Sequence, residues 1–166
     1  MKQGRNLTPS RIETVASILE EYAQRGVFRG YSPAGEVRQG RAVFHLLWHR
    51  NRIFDLVFEP SRNRLRFPTL LPDVPAEMHR DLKRFIQARQ AQDLPEHRRI
   101  EPSKARLTAT RREGKVALAL QVLDGDDEYG ARKLIHLVHE IFLTFLYDGR
   151  YYDYMVENFD LDPDRF

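Results

Sequence analysis

Cysteine is missing from this sequence altogether. Disulfide staples, thiolate metal sites and cysteine nucleophiles are thereby excluded. No apolar run approaches the ~18 residues that a membrane-spanning helix needs, and the polar opening MKQGRNLTPS is not that of a signal peptide. A cytoplasmic location with no membrane partner is the expectation. Serine is scarce, at Ser10, Ser17, Ser32, Ser61 and Ser103, and none of the five stands in G-x-S-x-G. A phosphate-cradling loop is lacking too. Gly30 and Gly35 have the right spacing, but Glu36 and Val37 follow where Lys and Ser or Thr are required.

Metal-ligand patterns fall short in the same way. His45 and His49 read onto one face of one strand, where four residues span ~13 Å, too far to share an ion. His136, His139 and Glu140 match neither H-E-x-x-H nor H-x-x-E-H. Asp160, Asp162 and Asp164 open like a calcium loop, without the glycine at position six or the glutamate at position twelve. No catalytic residue, metal site or cofactor is expected, and a non-enzymatic protein follows.

What the chain does have is a core and an uneven charge. At 42% hydrophobic over 166 residues, one domain can bury its apolar surface unaided. Residues 1–112 hold 22 Lys and Arg against 12 Asp and Glu, whereas residues 113–166 hold 5 against 12. Basic and acidic partners are therefore offered different surfaces. Of the 27 basic residues 22 are arginine, which suits bidentate pairing with carboxylate or phosphate.

Periodicity assigns the elements. A helix over about 9–25 carries the stripe Ile12, Val15, Ala16, Leu19, Tyr22 and Ala23, with Thr8 as N-cap, Pro9 in the first turn and Gly26 as terminator. Val27 to Tyr31 and Glu36 to Arg38 read as short strands. Ala42 to His49, Ile53 to Phe58 and Arg64 to Phe67 read as a three-stranded meander, with Asp55 paired to a cross-strand Arg64 or Arg66. A second helix covers about 75–91. Lys104 to Arg111 and Val116 to Leu123 form a hairpin. Asp126 caps a third helix running to Tyr147, and one more short helix lies in 150–166. The fold class is α+β, an antiparallel sheet of meander plus hairpin with helices packed on it, in the order α-βββ-α-ββ-α.

Arg62, Arg64 and Arg66 alternate onto one strand face, and Arg98, Arg99, Lys104 and Arg106 cluster around the fourth strand; together they are the candidate partner or anion site. Leu134 to Leu146 is apolar nearly all round, so Leu143 and Tyr147 need a cover that one sheet cannot give. With Tyr151, Tyr154 and Phe159 they are the candidate interface, docked on the body or on a second subunit. Residues 150–166 are thus expected to be an aromatic and acidic extension.

The order of elements resembles the type III secretion chaperone-like fold, including the YbjN-like bacterial proteins that share it. The likeness spans about residues 9–148. It is carried by that order, by Val74–Pro75–Ala76–Glu77 opening the middle helix, and by Gly114–Lys115–Val116–Ala117–Leu118 ahead of a long final helix. The resemblance implies a homodimer and a protein-binding or chaperone-like role, and it supplies no catalytic residues. Binding of nucleic acid or another polyanion through the arginine-rich sheet edge is the alternative, and a small enzyme without a recognisable motif the weaker one.

Overall fold

The stripe through Val15 and Leu19 folds into helix α1 (Lys2–Gln24) in the computed structural model, which describes residues 2–32, 37–38 and 40–159. The helix starts earlier than expected: Thr8 does not cap it, and Pro9 lies inside it. A proline removes one helical hydrogen bond, and the turns on either side stay helical despite that loss. The far end behaves as read. Gly26 takes the left-handed conformation (φ 81°), and the Val27 N–H donates to Tyr22 O at 2.9 Å.

Two short strands follow, β1 (Gly30–Ser32) and β2 (Val37–Arg38). Then come the meander strands β3 (Arg41–Trp48), β4 (Arg52–Glu59) and β5 (Arg64–Leu71). Helix α2 (Ala76–Ala88) precedes the hairpin β6 (Ala105–Arg112) and β7 (Lys115–Val122). Helix α3 (Asp127–Glu140) continues as a π-helix over Ile141–Tyr147, and α4 (Tyr152–Asn158) ends the described chain. The expected cap of α3 is in place, with Asp126 accepting from the Tyr129 N–H at 3.0 Å.

All strands pair antiparallel in one sheet, in the order β1-β3-β4-β5-β7-β6, with β2 also on β3. The fold is therefore α+β, with the meander and the hairpin joined through β5 and β7. The β5–β7 register shifts between Phe67 and Leu71, where Pro68 has no N–H to give the ladder. Arg62 falls in the turn Pro60–Arg62 instead of sharing a strand face with Arg64 and Arg66.

Alternation sorts the sheet into two faces. Phe44, Leu46, Leu56, Phe58, Leu65, Phe67, Leu118 and Leu120 point inward and are at most 1% exposed. Helices α1 and α3 close over them. Gly130 sets how close α3 comes, because a Cβ there would lie 2.7 Å from Val122 Cγ2. The terminal helix packs on the same chain: Tyr154 and Phe159 are 8% and 2% exposed, and the Tyr154 hydroxyl donates to Pro72 O. Asp160, Asp162 and Asp164 lie outside the described residues.

Candidate interaction surface

The second face of the sheet carries no helix among the described residues. Cross-strand register builds its rows: Val43, Val57, Arg66, Ala119 and Thr108 in one, Glu59, Arg64, Gln121 and Arg106 in the next. Beside them lie His45 with Asp55, and Leu47 with Ile53. Ile53 is 70% exposed, the most exposed large apolar side chain described. Small and polar residues keep the β7–β6 half flat, and Arg106 and Arg112 stand exposed at its border.

The pairings on this face differ from those the sequence suggested. Asp55 joins His45 at 2.6 Å, not an arginine, because it lies directly opposite His45 in the ladder. Arg64 and Arg66 instead converge on Glu59, at 2.8 and 3.0 Å. Burial would raise Glu59, but the two guanidiniums outweigh it and hold the carboxyl below its usual range. The clamp keeps both arginines flat on the sheet.

The other candidate cations are dispersed. Arg98 approaches Glu140 at 3.5 Å, Arg99 binds Glu101 at 2.6 Å, and Lys104 bridges Asp124 and Asp126 at 2.7 and 3.2 Å. Arg62 is exposed on its turn. Local carboxylates, which the sequence placed at no fixed distance, neutralise much of the expected cluster. Arg64, Arg66 and Arg106 are the members that share the open face. Of the aromatic candidates, Tyr151 stacks on Phe145 at 5.1 Å and Tyr147 meets Tyr152 edge-on at 6.0 Å. Leu143 is 45% exposed.

On the helical side two titratable clusters are structural in setting. The β3 strand ends at Trp48, so His49 leaves the face of His45, contrary to the alternation read from the sequence. Its ring lies flat between Phe142 (4.0 Å) and Trp48 (4.4 Å), with His139 at 5.9 Å. Burial, with a smaller push from His139, lowers His49 to about 3. Glu140 accepts from Arg89 at 2.6 Å, and His136 Nε2 stands 2.9 Å from its other oxygen without hydrogen-bond alignment. Burial raises Glu140, yet Arg89 and Arg98 together hold it below the carboxylate range. Among the described residues no group of three or more His, Asp and Glu is placed to hold a metal ion.

These features define an α+β protein whose antiparallel sheet is covered by helices on one face and, among the described residues, carries none on the other. No protein family, curated protein or solved structure matches the chain. No helix among the described residues is long and apolar enough to cross a membrane.

Proposed function

We propose that the chain is a non-catalytic, protein-binding module whose open sheet face docks a partner that offers an apolar contact to one corner and acidic groups to the rest. The observation that carries this reading is Ile53, exposed beside Leu47 near the β3–β4 turn on a face that also presents Arg64, Arg66, Arg106 and Arg112. An exposed apolar patch with a charged rim is the arrangement of a recognition surface. Two copies set face to face would oppose arginine to arginine, so a different, acidic protein is the better fit. Nucleic acid is the poorer fit, because base stacking needs aromatic rings. Phe44, Phe54, Phe58 and Phe67 all point into the core instead.

The test is capture from native lysate by the wild-type protein, by Ile53→Glu, and by Glu20→Lys on α1 as a surface control, each checked for folding by circular dichroism. A protein retained by wild type and Glu20→Lys, lost with Ile53→Glu and insensitive to nuclease supports the reading. Equal retention by all three, or release by nuclease, overturns it.

A further inference from the structure

The two edges of the sheet are finished differently. Among the described residues, the strands beyond β3 are the three residues of β1 and the two of β2. The opposite edge is β6, eight residues long, free of proline and paired to β7 without a register break from Ala105 to Arg112. Long, regular edges are templates for another strand, and proteins usually blunt them with short strands, bulges or proline.

Hairpin geometry identifies which β6 groups face outward. Glu113 and Gly114, both at positive φ (53° and 82°), form a two-residue turn closed by the pair Arg112–Lys115. Counting back from that hydrogen-bonded pair, Thr110, Thr108 and Arg106 give both backbone groups to β7. Ala105, Leu107, Ala109 and Arg111 turn theirs outward. Ala109 agrees, since its carbonyl accepts from His79 Nε2 at 2.8 Å. The Ala105 N–H is used by Glu101 O at 3.1 Å. No bond within the described chain takes up the N–H and C=O of Leu107 and Arg111 or the N–H of Ala109.

A groove of about 290 Å³ runs beside these groups, lined by Lys83, Ile86 and Gln87 on α2, by Gln90 just past it, and by Leu107, Thr108 and Ala109 on β6. Its floor is apolar, and its wall carries a lysine and no carboxylate. On the open-face side of the strand stand Arg106, Thr108, Thr110 and Arg112, all exposed.

We propose that the β6 edge accepts an extended partner segment as an added antiparallel strand, and that this segment alternates acidic with apolar residues. Residues directly opposite one another in a strand pair share a face. Apolar side chains opposite Leu107 and Ala109 therefore enter the groove, and the acidic ones between them lie along Arg106 and Arg112. Main-chain bonds supply attraction and the alternate side chains supply selectivity. A second copy of β6 is the wrong occupant. Paired antiparallel about Ala109, it would set Arg106 opposite Arg112 at both ends, and like charges across a strand pair repel. This inference rests on the protein-binding reading above and concerns the edge of the sheet farthest from Ile53, which shares only Arg106 and Arg112 with the open-face contact.

The probe is the end-blocked, fluorescently labelled peptide Glu-Val-Glu-Val-Glu-Val-Glu, titrated against the full chain and followed by anisotropy. Binding with a Kd below about 1 mM is expected. Methylating the backbone nitrogens of two valines, which face β6, should weaken it at least tenfold. Methylating two glutamates, whose N–H groups face away, should change it less than threefold. The double variant Lys83→Glu/Arg106→Glu should also lose at least tenfold, and both substitutions are at exposed positions. Absence of binding, equal effects of the two methylations, equal binding of Lys-Val-Lys-Val-Lys-Val-Lys, or a dimer by sedimentation that Arg106→Glu dissociates would overturn the proposal. Ile53→Glu separates the two readings. Peptide binding retained alongside loss of the lysate partner places the two contacts on separate surfaces. A partner that needs Ile53, with no peptide binding, removes the edge and leaves the open face standing.

Discussion

The inner and outer faces of this sheet are built from the same strands, one residue out of phase, yet they obey different rules. Inward positions hold phenylalanine and leucine at essentially zero exposure beneath α1 and α3, whereas outward positions hold arginine, threonine and alanine around one bare isoleucine. The difference teaches that this chain commits its strand phenylalanines and most of its strand leucines to one face, so exposed positions of the outer face are free to vary in chemistry with little effect on the fold. Substitutions should therefore separate into two groups, large in cost on the helical side and small on the open one.

The largest effect is expected at Phe67, fully buried in the centre of β5. Phe67→Ala should cost about 3–5 kcal/mol in urea unfolding, the range for emptying a well-packed aromatic site. Next is Glu140→Ala, which leaves Arg89 enclosed without its carboxylate; about 3 kcal/mol is expected in the same measurement. If either change proved as mild as a surface substitution, the division between the faces would not stand.

The helical side should also be the pH-sensitive one. Folded His49 takes a proton only near pH 3, whereas an unperturbed imidazole does so near 6.5. Its contribution is thus complete above about pH 6.5 and is lost progressively as pH falls toward 3. At pH 4.5 the loss is roughly 2 kcal/mol after allowance for the partly exposed ring. His49→Phe should flatten the stability profile between pH 6.5 and 4.5 by about that amount, read from unfolding midpoints at both values. An unchanged slope would mean that the ring is not held neutral by its enclosure. The smallest effect belongs to the open face: Ile53→Ser should stay within about 0.5 kcal/mol of wild type.

Much of this architecture was legible because periodicity reports burial directly. The alternation of Phe44, Leu46 and Trp48 placed an inward face, and Asp126 ahead of an apolar run marked the start of α3. Ile53 was equally accessible to the same reasoning, since it shares parity with Asp55 and not with Phe54; strand parity is the signal that finds it. Partner identity was not accessible. Whether Asp55 meets Arg64 or His45 depends on which residue the ladder sets opposite, and a one-residue change in turn length decides that. The candidate cluster of Arg98, Arg99 and Lys104 failed to assemble for a related reason. Charges near in sequence are drawn apart by whichever carboxylates the fold brings within reach, here Glu140, Glu101 and Asp124.

The π-helix at Ile141–Tyr147 has a consequence for the angular phase of everything after it. Its wider turn, seen in the Asp148 N–H reaching back five residues to Leu143 O at 3.0 Å, places Ile141, Phe142, Phe145 and Leu146 inward and leaves Leu143 and Thr144 outside. Each residue of an α-helix advances the chain by about 100°. Were the same residues wound as an ordinary α-helix, with none removed, the following segment would be rotated by about that angle, because the wide turn absorbs one residue. Tyr154 and Phe159 would then arrive on the wrong side of the axis. The seating of α4 is in this sense a matter of timing: the extra residue in the wide turn acts as a clutch between the body of the protein and its terminal helix.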